Sequence, residues 1–206
     1  KTQDMIYLKE ISGPTGYLLD TAVHNIQLEV GKTSNQVVTD EEQKANLTIY
    51  KEGEVLTGAN VTEEGVSFVY EKRRQKGAVY NVYAAADIKR ADGTVVYKQG
   101  ALVKENLATG DDGSATLKGL YLGTYRVTEM KAPTNLICAG ESKEVTLSYA
   151  GQNVEVAVGD LTFVNDRQKA KVFAEKQDKD TKKSLAGAVF GLYAGKDIKN
   201  QDGQVV

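Results

Sequence analysis

A lysine, an asparagine and a glutamate each close an apolar stripe in this sequence, and together they are the set needed to join two side chains through an amide bond. In Tyr125-Arg126-Val127-Thr128-Glu129-Met130-Lys131-Ala132-Pro133, period two puts Tyr125, Val127 and Glu129 on one face of a strand that Pro133 ends. That face is the core side, where a carboxylate is costly unless it is protonated or hydrogen-bonded. Leu161, Phe163 and Asn165 alternate inward on a second strand, and Leu47, Ile49 and Lys51 on a third.

An amine attacks a carboxamide only as the free base, and apolar burial lowers a lysine pKa toward that form. Burial also favours an uncharged acid, so Glu129 is expected to polarise the Asn165 carbonyl and then pass protons as ammonia leaves. Positioning adds the rest, because oriented groups reach effective molarities of about 10⁵–10⁸ M. The reaction runs once per molecule, so it is self-processing and not turnover. Taken singly, a strand-end Lys snorkels to water and a strand-end Asn caps a turn. The shared core parity of all three favours chemistry. Lys72 is a rival nucleophile, because it follows Phe68 and Tyr70 on inward parity.

The elements that must position these groups are strands. The 206 residues include 20 Gly and 11 Tyr but no Trp and only two Pro, which suits short strands joined by Gly/Asp turns. Strands are predicted over Leu47–Lys51, Ser67–Lys72, Ala78–Ala84, Val95–Lys98, Ala115–Lys118, Gly123–Glu129, Glu144–Tyr149, Asn153–Val158 and Leu161–Asn165. Turns are predicted at Glu64-Gly65, Asp92-Gly93, Asp112-Gly113, Ala150-Gly151 and Gly159-Asp160. Short helical turns are predicted at Ala84–Lys89 and Ala101–Leu107. The sum is an all-β, Ig-like antiparallel sandwich. A net charge of −2 argues against nucleic-acid or membrane-surface partners, and no apolar run approaches the roughly 20 residues of a membrane span. No signal-peptide pattern is visible, and the first residues read as mid-strand sequence, as in an excerpt of a longer protein. One cysteine, Cys138, excludes an intramolecular disulfide and is expected to be a buried thiol. An amide would be the staple in its place.

The chain repeats itself. Gly77–Lys89 followed by Asp92–Val96 recurs as Gly187–Lys199 followed by Asp202–Val206. Ile6–Pro14 matches Tyr125–Pro133 with the same Glu-to-Pro spacing, and Asp40–Lys51 aligns without a gap on Asn165–Lys176. Residues 1–43 therefore read as the end of one domain, 44–167 as a complete domain and 168–206 as the start of a third. The joins carry no Gly, Pro or Ser run, so tandem domains here make a semi-rigid rod. Gly77 lies much further from Lys51 than Gly187 does from Lys176, which marks an insertion near Gly58–Glu71.

Residues 44–167 resemble the Cna B-type, or SpaA-like, prealbumin-type domain of Gram-positive surface adhesins and pilins. The resemblance is carried by Gly77–Ala84 (the family's G-A-x-F-x-L-Y-A), Thr109–Leu117, Gly119-Leu120 with Gly123-Thr124-Tyr125, Tyr125–Pro133 at the family's E-box, and Phe163-Val164-Asn165. It implies a prealbumin-like sandwich and a spontaneous isopeptide bond between the first and last strands, promoted by the E-box Glu. Mapped here, these are Lys51, Asn165 and Glu129. In the flanking pieces Glu10 and Asp40 fit acid and acceptor, and Lys176 fits a nucleophile, but neither piece holds a complete set. Asp40 would lose water rather than ammonia. The sequence departs from the family at Pro133-Thr134-Asn135-Leu136, where Pro-x-Gly-Tyr is usual, as in Pro14-Thr15-Gly16-Tyr17. Asn tolerates the left-handed backbone of that Gly, while the lost Tyr leaves a packing position open.

The resemblance implies an extracellular, cell-wall-anchored protein whose anchor lies outside this segment, with neighbouring tandem domains of the same chain as partners. The expected role is a structural stalk. A second reading, resting on the insertion alone, is an adhesin module that binds a host matrix protein or glycan. No cofactor or metal is expected. Asp111-Asp112-Gly113 lacks the 12-residue calcium-loop pattern and reads as a hairpin turn, and His24 reads as an ordinary surface or edge residue.

Overall fold

The computed structural model describes residues 4–63 and 65–206. Glu64, half of one predicted turn, lies outside them. Strands β1 (Met5–Lys9) and β2 (Val23–Gln27) pair with each other near the start of the chain. Then come β3 (Lys44–Thr62), β4 (Gly65–Arg74), β5 (Val79–Ala84), β6 (Ile88–Lys89), β7 (Val95–Tyr97), β8 (Leu102–Ala108), β9 (Ser114–Leu120), β10 (Gly123–Lys131), β11 (Ser142–Leu147) and β12 (Val156–Asn165). One sheet has the order β11-β10-β5-β8. The other has β12-β3-β4, with β9 also paired to the first half of β3.

Alternation drives this arrangement. Ala45, Leu47, Ile49 and Lys51 are buried at every second position of β3, and Tyr125, Val127 and Glu129 do the same on β10. Leu47, Ile49, Tyr80, Val82, Tyr125, Val127 and Phe163 form the core between the sheets. Burial of each such large side chain stabilises the sandwich by about 1.5–3 kcal/mol. All pairings within the two sheets are antiparallel except one. β12 lies parallel to β3, in register from Val156↔Lys44 to Asn165↔Gly53.

Several local expectations give way to packing. The predicted Leu47–Lys51 strand runs on to Thr62, because the insertion is a β-ribbon in which β3 pairs with β4 out to Thr62↔Gly65. Gly159-Asp160 is not a turn but lies inside β12. A Cβ on Gly159 would come within 2.5 Å of Leu147 Cδ2, so the glycine lets β11 approach closely. Ala101–Leu107 is strand and not helical turn. Val103 and Leu107 both pack on the core, and Asn106, at φ 53°, kinks the strand between them. Among the described residues there is no helix.

The sequence repeats reappear as hydrogen bonds. Tyr17 N–H to Pro14 O, Leu18 N–H to Glu41 O and Gln43 N–H to Gly16 O recur as Leu136 to Pro133, Ile137 to Asp166 and Gln168 to Asn135. Arg90 N–H to Thr94 O and Gly93 N–H to Arg90 O recur as Asn200 to Gln204 and Gly203 to Asn200. Asn135 takes the left-handed conformation of Gly16, with φ of 67° against 95°. Leu136 fills the packing position next to it and is buried. It sits so close over Gly53 that a Cβ there would lie 2.2 Å from Leu136 Cδ1.

Candidate functional site

Period two on three strands brings the predicted residues together. Lys51 of β3 stands opposite Phe163 of β12, and Asn165 follows two residues later on the same face, opposite Gly53. Glu129 comes from β10 in the facing sheet, where it is paired with Tyr80 of β5. The amine and the carboxamide therefore sit on neighbouring strands of one sheet, and the acid reaches them across the core.

The carboxylate divides its oxygens between the two partners. Lys51 Nζ lies 2.7 Å from Glu129 Oε1, and Asn165 Nδ2 donates to Glu129 Oε2 at 2.7 Å. Relative exposure is 0% for Lys51, 2% for Glu129 and 5% for Asn165. The Lys51 contact is short but badly directed, so neither Nζ nor Oε1 has a well-formed hydrogen bond. A buried ion pair without such bonds recovers little of its desolvation cost. Burial lowers the Lys51 pKa, and the Glu129 carboxylate beside it works in the opposite direction.

Two aromatic residues wall the site: Phe163, read from the sequence as inward-facing, and Tyr80, to which sequence reasoning gave no role at the site. The Tyr80 and Phe163 rings meet at 4.9 Å between centroids, tilted by 46°. The Tyr80 hydroxyl is buried with no hydrogen-bond partner among the described residues, and desolvation, reinforced by Glu129, pushes its pKa well above the ordinary value. Tyr80 was visible in the Gly77–Ala84 motif on apolar parity, but nothing local marked it as a neighbour of Glu129.

The depressed Lys51 pKa has a consequence for a chain that cannot react, such as Asn165→Ala. Between the depressed value and the ordinary value of about 10.4, the unfolded state binds more protons than the folded one. Stability therefore rises with pH through that window and is lowest below it. Urea midpoints of this variant should climb from neutral to alkaline pH. A flat or falling profile would mean that Lys51 stays charged in the core.

Other candidates lie elsewhere. Lys72 is exposed on β4, in register with Glu54, and so is not placed to attack Asn165. Glu10 and Asp40 converge on Gly13, where an added Cβ would lie 3.2 Å from Glu10 Oε1 and 3.5 Å from Asp40 Oδ2. Glu10 Oε2 also accepts the Asp20 N–H at 2.7 Å. Lys176 is exposed in a segment outside any strand. Cys138 is exposed and not buried, because it falls beyond the end of β10, with Sγ 4.0 Å from Glu129 O. His24 Nε2 meets Asp20 Oδ2 at 2.6 Å. Asp112 caps its turn by accepting the Ser114 N–H at 3.0 Å. Among the described residues no group of three or more His, Cys, Asp or Glu could hold a metal ion, and no helix is long and apolar enough to cross a membrane.

A solved structure with a similar fold is known, and others resemble it more distantly. The TIE protein of Bacillus anthracis superposes with a TM-score of 0.52 at 21% identity, over 80% of this chain and 25% of that one. The chain thus spans about a quarter of the TIE protein's length. The minor pilin GBS52 of Streptococcus agalactiae gives 0.41 at 14% identity, over 75% of this chain and 63% of that one. The major pilin SpaA of Corynebacterium diphtheriae gives 0.40 at 15%, over 76% and 41%. A comparison with curated proteins finds no match. The family model for the SpaA prealbumin-like fold domain matches residues 43–162, more than half of the sequence and the whole span from Lys51 through Glu129. The chain belongs to the SpaA family of prealbumin-like fold domains.

Proposed function

We propose that this chain is a stalk segment of a cell-surface adhesin or pilus-like protein, and that its central unit staples itself through a Lys51–Asn165 amide. One observation carries the reading. A single carboxylate in a dry core touches the amine with one oxygen and the carboxamide nitrogen with the other. Moving a proton from Lys51 Nζ to Glu129 Oε1 turns a buried ion pair into a neutral pair, the direction that low dielectric favours. The free amine then attacks Asn165 Cγ. Glu129 takes the proton that the attacking nitrogen sheds and returns one to Nδ2, which departs as ammonia. One C–N bond forms, one breaks, and no charge is left behind.

The topology gives the bond a mechanical use. Because β3 and β12 are parallel neighbours, tension entering at Lys44 and leaving at Asn165 shears their ladder. An amide between Lys51 and Asn165 carries that load past everything between them. Tandem units at 1–43, 44–167 and 168–206, supported by the recurring hydrogen bonds, would pass the load along the chain. In this reading the protein works outside the cell, held to the wall by parts other than this segment.

Intact mass tests the staple. The purified chain is expected to weigh one ammonia less than its sequence, with a branched tryptic peptide linking Lys51 to Asn165. The full unreacted mass would remove the staple from the proposal.

A further inference from the structure

We propose that the β6–β7 turn is the surface by which each unit docks on the unit ahead of it, and that the charge facing this turn selects which units can be neighbours. The proposal rests on the tandem-unit reading. At the front joint the turn Lys89-Arg90-Ala91-Asp92-Gly93 sits against the exit of the first unit. The Ala91 N–H donates to Glu42 Oε1 at 3.0 Å, and Arg90 Nε lies 3.8 Å from Glu42 Oε2. A Cβ built on Gly16 would lie 3.1 Å from Ala91 Cβ, so Gly16 leaves no room for a side chain against Ala91. Lys44 Nζ pairs with Glu42 at 2.8 Å and stands 3.3 Å over the Tyr121 ring. A second set of bonds holds the first unit from the other side. Gly13 N–H donates to Gln152 Oε1, Leu19 N–H to Gln152 O, and the Tyr149 hydroxyl to Tyr17 O, each at 3.0 Å. Gln43, buried between the units, donates to Gly151 O and accepts from the Ala150 N–H. So many directed contacts distinguish a seat from a tether.

The rear joint uses the same positions. Lys199, Asn200 and Gln201 share a cavity with Asn135 and Arg167, as Lys89, Arg90 and Ala91 share one with Gly16 and Glu42. The charges change together. Glu42 is replaced by Arg167, and the facing Arg90 by Asn200, so neither joint sets a cation against a cation. The rear joint adds Arg73 Nη1 to Asp202 Oδ2 at 3.0 Å and Lys169 Nζ to Glu54 Oε2 at 2.9 Å. The partner this surface fits is a unit of the same architecture, with an acid at its exit for an arginine turn and a cation only for a neutral one.

Distances between paired spin labels on the full chain, carrying Cys138→Ser, would test this. One pair sits at Asn25 and Lys118 across the front joint, the other at Lys118 and Lys183 across the rear, all exposed positions. Both distributions are expected to be narrow. Arg90→Glu should raise the undocked fraction at the front about fivefold and leave the rear unchanged. Asn200→Arg should do the same at the rear only, while Asn200→Glu should leave it docked. High salt on the unsubstituted chain should loosen the front joint in the same sense, which covers a variant that fails to fold. Broad distributions in the unsubstituted chain, or equal widths in all three variants, would overturn the proposal. The intact mass of each sample keeps the two readings apart. Ammonia loss with broad joints sinks docking and spares the stapled stalk, and narrow joints at full mass do the reverse.

Discussion

Glu129→Ala is expected to leave the chain at its full unreacted mass and to lower the thermal midpoint of the central unit by about 20 °C. The proposed staple would close a loop of roughly a hundred residues, worth on the order of 4–5 kcal/mol on the chain-entropy model. The substitution also strands Lys51 in the core without the group 2.7 Å away, so its cost exceeds that of the missing bond alone. Glu129→Gln separates the two effects. Gln keeps the shape and can still bond to Asn165, but it cannot take a proton from the amine. It too should give the full mass, with a smaller loss of midpoint than Ala. A Glu129→Gln chain that still lost one ammonia would show that the carboxylate is not the proton carrier. Mass spectrometry and differential scanning calorimetry on the same samples read both quantities.

Stretching single molecules end to end should show the second large effect. In the unsubstituted chain, the segment from Lys51 to Asn165 contributes no extension at any force below covalent rupture. In Lys51→Ala, the same segment pays out in one step of about 380–410 Å, since roughly 114 residues extend by 3.3–3.6 Å each. The force at that step should be high, because the parallel β3–β12 ladder must break as a whole and cannot unzip bond by bond. An unsubstituted chain that releases the same length under load would mean that the covalent path is absent.

The site could be read from the sequence because it lies on strict alternation. Leu47-Thr48-Ile49-Tyr50-Lys51 and Leu161-Thr162-Phe163-Val164-Asn165 leave no ambiguity of face, and Tyr125, Val127 and Glu129 add the third element. The gapless alignment of Asp40–Lys51 on Asn165–Lys176 sets Lys51, and not Lys72, opposite Lys176. The partition of the Glu129 oxygens, and the Tyr80–Phe163 wall, depend on how the two sheets meet, which no single strand encodes. Elsewhere local signals misled. Gly159 looks like a turn because glycine usually is one, and only the Leu147 side chain explains it. Val103 and Leu107 have helical spacing, yet a kink at Asn106 seats both on a strand. The insertion was legible as extra length but not as a ribbon. The base of that ribbon, at Glu54, Tyr70 and Arg73, is held by Lys169 and Asp202 from beyond the end of β12.

The drawing of the site from β3, β10 and β12 also fixes when the reaction can occur. Lys51 lies on β3 and Asn165 is the last residue of β12, so no chain that stops short of residue 165 holds all three groups. On the stapled reading, the bond would form only after the chain through Asn165 has been made and both layers have closed. A covalent mark would then separate finished molecules from defective ones, and those lacking it would remain open to proteases while their neighbours were permanently sealed.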